Sequence, residues 1–324
     1  MVRDAVRFWL LPVLLLAAAP LADAQTYPTR PIALIVPFTP GSGIDIIART
    51  LGQKLTERWG QPVVVDNKPG ASGGLGAELV AKAPPNGYTV MVTAAAMAVL
   101  PALSRTPPYD PVRDFTAVAE TTTGHLALTV NPKSLPVTSL KEFVAAAKAR
   151  PGRLNYSSPG PGTLQHLGTE LLKQELGVDL IHIPYRGASG ALTDLVAGQV
   201  DLAVLPVHTA LPFTATGQLW MLAVSTPERS PLAPDVPTFV ELGYSHMVFE
   251  LWYGVFGPPK LPPDIVAKWE RELAAVLAEP DIKGPWQKQG LEPHYAPSRE
   301  FAPLVRREYA RWREVGEKAK LTVD

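Results

Sequence analysis

Residues 32–49 constrain the fold of this chain more than any other segment, because they predict a strand, a tight turn and a helix in immediate succession. Residues 34–36 form a short apolar run, which is typical of a strand buried on both faces. A turn rich in proline and glycine follows over 37–43, and from Ile44 the apolar residues recur at helical spacing. A helix that begins directly after a glycine turn presents unpaired N–H groups and the positive end of its dipole, which favours anion binding.

The same succession recurs along the chain and predicts an α/β fold with two similar halves and mostly parallel sheets covered by helices on both faces. Strands are predicted over 32–36, 62–66, 89–93, 126–130, 154–156, 180–183, 200–205 and 220–225. Helices are predicted over 44–59 and 139–150, from 75 and from 163, and up to 197. Residues 251–324 are predicted to continue as an extended aromatic run and two helices, which Asp264 and Ser298 can cap.

Composition excludes several classes of function. The 324 residues are enough for two domains, and Lys+Arg and Asp+Glu balance at 30 each, which argues against nucleic acid or an anionic membrane as partner. The absence of cysteine excludes disulfides, thiolate metal sites and a cysteine nucleophile. No His/Asp/Glu spacing predicts a metal site, so that His166 and His182 are favoured as structural histidines and no metal or cofactor is expected.

Residues 1–24 have the pattern of a cleavable signal peptide. Arg3 and Arg7 precede a short apolar core over 8–19, and alanines at 22 and 24 fit the small-x-small cleavage rule. The core is shorter than the roughly 20 apolar residues that a membrane span needs. We therefore expect export and cleavage after Ala24.

Glycine turns precede predicted helices at four places, namely 40–43, 70–74, 159–162 and 187–190, with two in each half of the chain. Open α/β sheets bind ligands beyond the carboxyl ends of their strands. If the strand ends of both halves face a common cleft, four loops rich in backbone amides converge there. Such loops suit carboxylates without requiring a buried Lys or Arg.

Two catalytic or nucleotide-binding interpretations compete with this one. A dinucleotide site would place its third glycine at 46, which is Ile46, so that the required close packing is missing. Residues 70–74 match G-x-S-x-G and would make Ser72 the nucleophile of a secreted serine hydrolase. Residues 67–69 separate this serine from its strand, however, and no motif identifies a histidine as general base. The alternative for Ser72 is a turn serine that donates one hydrogen bond.

Several single residues are left with two interpretations each. Asp45 lies in the first turn of the first helix and is interpreted as a capping or structural residue, since its charge would repel an anion. Arg186 follows a strand and can meet a ligand carboxylate or serve a surface role. Trp252 and Tyr253 can line a cleft or pack in a core.

An ordered series of motifs covers nearly all of the chain after residue 26 and resembles one known family. The motifs include Val-Pro-Phe-Thr-Pro-Gly at 36–41, Gly-Gln-Pro-Val-Val-Val at 60–65, Asn-Lys-Pro-Gly-Ala at 67–71, Pro-Tyr-Arg-Gly at 184–187 and Gly-Gln-Val-Asp at 198–201. The series resembles Bug-type receptors, the periplasmic solute-binding proteins of tripartite tricarboxylate transporters.

The resemblance implies a two-lobed α/β periplasmic-binding-protein fold of the Venus-flytrap, type II-like kind, with two crossovers between the lobes. Lobe 1 would comprise 25–124 and 251–324, and lobe 2 would comprise 125–250. A periplasmic, monomeric receptor without enzymatic activity is implied, holding a di- or tricarboxylate, an amino acid or an aromatic acid between its lobes. Its partners would be membrane transporter subunits or, for a signalling role that the sequence does not separate from transport, a sensor protein.

The resemblance also implies the residues that contact the solute. In the first lobe they are Thr39, Pro40, Gly41, Ser42, Gly43, Ala71, Ser72, Gly73, Gly74, Thr93 and Ala94. In the second lobe they are Ser157, Ser158, Gly160, Gly162, Thr163, Tyr185, Arg186, Gly187, Ala188 and Pro206. The family usually has adjacent glycines where Ser42 separates two of them here, and a small residue where this chain has Ile44. We therefore expect the selectivity of this chain to reside at Ser42 and Ile44.

Overall fold

The fold was determined as a computed structural model that describes residues 27–288, 291–319 and 321–322. The predicted signal peptide therefore lies outside the described residues. The strands are β1 (Ile32–Val36), β2 (Val63–Asn67), β3 (Thr89–Ala94), β4 (Thr116–Gly124), β5 (Leu126–Val130), β6 (Asn155–Ser158), β7 (Ile181–Pro184), β8 (Leu202–Pro206), β9 (Trp220–Val224), β10 (Leu251–Gly257) and β11 (Glu292–Pro297). The helices are α1 (Gly43–Trp59), α2 (Gly74–Ala81), α3 (Ala96–Leu103), α4 (Leu140–Ala149), α5 (Leu164–Leu176), α6 (Ala188–Ala197), α7 (Val207–Thr214), α8 (Pro263–Leu277), α9 (Pro280–Lys288) and α10 (Ser298–Ala319).

The strands form two sheets, and the chain passes from the first to the second and back. The first sheet has six strands in the order β11-β4-β10-β3-β1-β2, and the second has five in the order β7-β6-β8-β5-β9. β1 pairs in parallel with β2 and β3, and β6 pairs in parallel with β7 and β8. β10 is antiparallel to β3 and β4, and β5 is antiparallel to β8 and β9. Both sheets are thus mixed, and the prediction of mostly parallel sheets is wrong, because β5 and β10 follow the crossovers and enter their sheets from the opposite end.

The helix predictions hold where an apolar stripe repeats. In α5, the inward residues predicted by spacing are all buried, namely Leu164, Leu167, Leu171 and Leu172. Gly198 ends α6 in the left-handed conformation at φ 77°, as its position predicts. The two predicted caps of the C-terminal helices are wrong. Pro262 occupies the N-cap of α8, so that Asp264 lies in the first turn, and Ser298 is itself the first residue of α10.

Aromatic residues join α1 to α8. Trp269 is fully buried, and its ring meets Trp59 edge to face with the ring centroids 4.8 Å apart. The indole Nε1 of Trp269 donates to Tyr27 Oη at 2.8 Å, and Tyr27 Oη donates to the Gly87 carbonyl at 2.6 Å. The same two helices are joined at the surface by Arg58 Nε and a Glu272 carboxylate oxygen at 2.8 Å. None of the helices in the described ranges is both long enough and apolar enough for a membrane-crossing segment.

Candidate functional site

A cavity of about 650 Å³ lies between the two sheets. Its walls are built by the segments that follow β1, β2 and β3 in the first sheet and β6, β7 and β8 in the second. All six segments leave the carboxyl ends of their strands, which is where open α/β sheets bind ligands. The two sheets therefore present their loop edges to a shared space, as the four glycine turns lead one to expect.

Most of the residues predicted for the site line this cavity. Those that line it are Thr39, Ser42, Gly43, Ala71, Ser72, Gly73, Ala94, Ser157, Ser158, Gly160, Thr163, Tyr185, Arg186, Gly187, Ala188 and Pro206. Those that are absent from the lining are Pro40, Gly41, Gly74, Thr93 and Gly162. The lining also includes polar residues for which sequence reasoning made no prediction, namely Gln165, His208 and Thr209, and it includes Tyr253, which was left open. That these residues contact a ligand stays a prediction.

The loop after β1 is held in shape by Asp45. Its carboxylate accepts hydrogen bonds from Gly41 N, Arg49 Nε and Asn67 Nδ2, each at 2.9 Å, and the residue is only 3% exposed. Burial alone raises the pKa of Asp45, but the hydrogen bonds from Arg49, Gly41 and Asn67 outweigh burial and hold this pKa below its usual value. The structural interpretation of Asp45 is thus confirmed, and Arg49 compensates its charge.

Ser42 is the N-cap of α1. Its Oγ accepts a hydrogen bond from Asp45 N at 3.4 Å. Since the oxygen is used as an acceptor, the hydroxyl hydrogen is available to donate into the cavity that Ser42 lines. Four other hydroxyls of the predicted site donate to backbone carbonyls, namely Ser72 to Pro161, Ser157 to Ala191, and Ser158 and Thr163 to Gly160. These four hydroxyls shape the loops, whereas Ser42 Oγ donates to no other group of the described residues.

The loop after β6 rests on a stack of three rings. His182 lies between Tyr156 and His166, with ring centroids 4.7 and 4.2 Å away, respectively. Ser158 Oγ is 2.7 Å from His182 Nε2, and Gly162 N donates to His166 Nδ1 at 3.3 Å. Burial, followed by the nearby His166, lowers the pKa of His182 to about 4, and burial also lowers the pKa of His166. Both histidines are therefore neutral at pH 7 and buttress the loop, which confirms their structural interpretation.

Ser72 connects the two halves of the chain across the cavity. Ala71 and Ser72 have φ angles of 47° and 52°, a left-handed conformation that is unfavourable for residues with a side chain. In this conformation Ser72 Oγ donates to the Pro161 carbonyl at 2.6 Å. The hydroxyl of Ser72 is thus engaged by a carbonyl, and the interpretation of Ser72 as a turn serine that donates one hydrogen bond is confirmed.

The electrostatics of the cavity favour a negatively charged group. Among the described residues that line it, Arg186 is the only Asp, Glu, Lys or Arg. The first residues of α1, α3, α5 and α6 line the cavity, and so do the N-caps of α2 and α7, so that the positive ends of six helix dipoles lie at its wall. The remaining wall is largely apolar, and its larger side chains are Phe38, Ile44, Leu164, Leu205 and Leu251. This arrangement can hold an anion that also carries an apolar body.

Comparison with known proteins agrees with this geometry. A family model described as the tripartite tricarboxylate transporter family receptor matches residues 47–321. This chain belongs to that family. The resemblance seen in the motifs is therefore confirmed, and the chain is a solute receptor of the tripartite tricarboxylate transporter family, which is a family of periplasmic receptors.

Solved structures of similar proteins confirm the two-lobed α/β fold of a periplasmic binding protein for this receptor. The periplasmic binding protein BugD has 30% identity and a TM-score of 0.84, covering 91% of this chain and 99% of its own. An R. palustris protein solved with adipate has 35% identity and a TM-score of 0.85, covering 91% and 99%. MatC from Rhodopseudomonas palustris, solved with bound malate, has 32% identity and a TM-score of 0.83, covering 89% and 99%.

Proposed function

We propose that this receptor binds a small carboxylate with an apolar body between its two sheets and delivers it to membrane transporter subunits. The observation that carries the proposal is the cavity itself. Six helix N-termini and Arg186 lie at the wall of a space that is otherwise lined mainly by apolar side chains. The dicarboxylates adipate and malate in two similar receptors support the same class of ligand.

In this proposal the two sheets belong to the two lobes, 25–124 with 251–324 and 125–250. The lobes close on the solute by a hinge motion, and the closed form is what the transporter recognises. The receptor acts as a monomer in the periplasm after removal of residues 1–24. No chemical step is assigned to it, since the hydroxyl of Ser72 donates to the Pro161 carbonyl.

The proposal is tested by a thermal-shift screen of carboxylates on purified protein that has been unfolded and refolded to remove any carried-over ligand. A binder at ~100 times its dissociation constant stabilises the protein by about 2.7 kcal/mol, which corresponds to a rise in Tm of roughly 4 °C for a chain of this length. Aliphatic and aromatic dicarboxylates are compared with their dimethyl esters, which keep the apolar body and lose the charge. We expect shifts from the acids alone. Failure of every acid to raise Tm would contradict the proposal.

The contact between Ser72 and Pro161 is expected to stabilise the closed form. Ser72→Ala removes one neutral hydrogen bond, worth about 1 kcal/mol, and should weaken carboxylate binding roughly fivefold, chiefly through faster dissociation. Stopped-flow and calorimetric titration measure the two quantities. Ser134→Ala is the matched control, because Ser134 Oγ donates to Asn131 O at 3.5 Å within one half of the chain. An unchanged dissociation rate in Ser72→Ala would show that this contact does not contribute to closure.

A further inference from the structure

We propose that Tyr253 is a specificity-determining residue whose hydroxyl, together with the first N–H groups of α1, binds one carboxylate oxygen of the solute. The inference deepens the proposed function and rests on it. It concerns a residue that neither the glycine loops nor the motif series assigns to the site.

The position of Tyr253 in β10 directs its ring into the cavity. The neighbouring Trp252 packs in the core, where its ring lies 5.3 Å from that of Phe301. Because side chains alternate across a strand, Tyr253 points to the opposite face, and it lines the cavity while remaining only 4% exposed. The register with β3 pairs Tyr253 with Ala94, which also lines the cavity.

Tyr253, His208 and the start of α1 surround one point that Gly43 leaves empty. A Cβ atom on Gly43 would lie 3.7 Å from Tyr253 Oη and 3.6 Å from His208 Nε2. Gly43 is the first residue of α1, and the N–H groups of a first helical turn have no acceptor within the helix. A ligand oxygen at this point is therefore within reach of a phenol from the first sheet and of the amide end of α1.

The hydroxyl of Tyr253 has no other assignment in the described structure. Within residues 27–288, 291–319 and 321–322, no group is hydrogen-bonded to Tyr253 Oη. Tyr253 is 4% exposed and lines the cavity, so its hydroxyl depends on water or a solute in the cavity for a partner, a requirement that phenylalanine would not have. An oxygen acceptor on the bound solute resolves this, since it supplies the missing partner.

The chemistry of the subsite selects a hydrogen-bond acceptor. Burial raises the pKa of Tyr253 above its ordinary value, so that the phenol stays protonated and can donate. The helix amides only donate. A carboxylate oxygen satisfies both sets of donors, whereas an ammonium or amide N–H at the same point meets donors on two sides. The missing side chain at Gly43 leaves room for this oxygen.

The inference is tested with the acid that gives the largest thermal shift to the unmodified receptor. Tyr253→Phe is expected to weaken its binding by about tenfold or more, the effect of one hydrogen bond to a charged group, while Tm without ligand is unchanged or higher. Tyr109→Phe is the matched control. Tyr109 is also a buried phenol, 5% exposed and packed 5.3 Å from the Phe115 ring, and it is absent from the cavity lining.

A second variant keeps the inference testable if Tyr253→Phe does not fold. Gly43→Ala places a methyl group at the proposed oxygen position and should weaken binding at least as much, while alanine favours the helix. The inference is overturned if Tyr253→Phe binds the acid as tightly as the unmodified receptor does. Should Tyr253→Phe fail to fold, unchanged affinity in Gly43→Ala overturns it instead. In both cases the proposed function stays intact. A receptor that binds no carboxylate even without substitution overturns the proposed function itself and the inference with it.

Discussion

Replacement of Asp45 by alanine is expected to destabilise the receptor by about 2–3 kcal/mol and to weaken carboxylate binding at least tenfold. The carboxylate holds Gly41 N, Arg49 Nε and Asn67 Nδ2, each at 2.9 Å. Arg49 is 55% exposed and returns to water at little cost, so the loss comes mainly from the other two donors. Without this carboxylate the loop at 39–43 loses the contacts that fix its amides at the cavity. Urea unfolding and calorimetric titration measure the two effects.

Asp66→Ala is the matched control for Asp45→Ala. Asp66 is 45% exposed, and in the part of the chain that the structure describes its ion pair is with Lys68 at the surface, at 3.0 Å. Its removal should therefore change neither quantity measurably. Acid provides a second control. Because hydrogen bonds hold the pKa of Asp45 below its usual value, its stabilising contribution is complete above about pH 4 and is lost as the pH falls further. The difference in free energy of unfolding between the unmodified receptor and Asp45→Ala should therefore shrink below about pH 4. Full affinity in Asp45→Ala would mean that the loop keeps its shape without the carboxylate.

Replacement of Trp269 by alanine is expected to cost about 3–5 kcal/mol of stability, the range for truncating a large aromatic side chain in a core. The indole is fully buried, packs edge to face on Trp59 at 4.8 Å and donates to Tyr27 Oη at 2.8 Å. Its removal opens a cavity and leaves the phenol of Tyr27 without this donor. Chemical denaturation gives the loss of stability directly.

Trp269→Ala differs from Asp45→Ala in its expected effect on ligand binding. Trp269 is absent from the cavity lining, so Trp269→Ala that remains folded should bind the solute with unchanged affinity. Trp269→Phe keeps much of the packing and loses only the N–H donor, so it should cost less than half as much. A loss of less than 1 kcal/mol in the free energy of unfolding of Trp269→Ala would show that the packing of α1 against α8 at Trp269 contributes little to stability.

Much of the candidate site could be predicted because short, continuous segments of the sequence encode its loops. Each of the loops at 40–43, 70–74, 159–162 and 187–190 contains residues that line the cavity, since a strand, a glycine turn and a helix start are encoded within about a dozen residues. The strands β1, β3 and β5 were predicted for the same reason. Continuous apolar runs specify them without reference to the rest of the chain.

What the sequence did not predict depends on partners distant in the chain. β4 carries four threonines and a glutamate and has no apolar alternation, yet it is a strand because β10 and β11 pair with it on both sides. β11 and α7 were missed as well, and with α7 the cavity residues His208 and Thr209. The motif around Ser72 suggested a nucleophile, whereas its role depends on a carbonyl 89 residues further along the chain.

The place of β10 in the first sheet has a consequence for how the receptor is made. β10 lies between β3 and β4, although it follows the whole of the second sheet in the chain. A nascent chain can complete the second sheet from residues 126–224 alone. In the first sheet, the edges of β3 and β4 that pair with β10 stay unpaired until residues 251–257 are synthesised. Unpaired strand edges invite pairing with other chains, and pairings between distant segments form slowly. The first sheet, whose β1 leads into the cavity loop at 39–43, is therefore the part that most needs protection from aggregation until β10 and β11 have been synthesised.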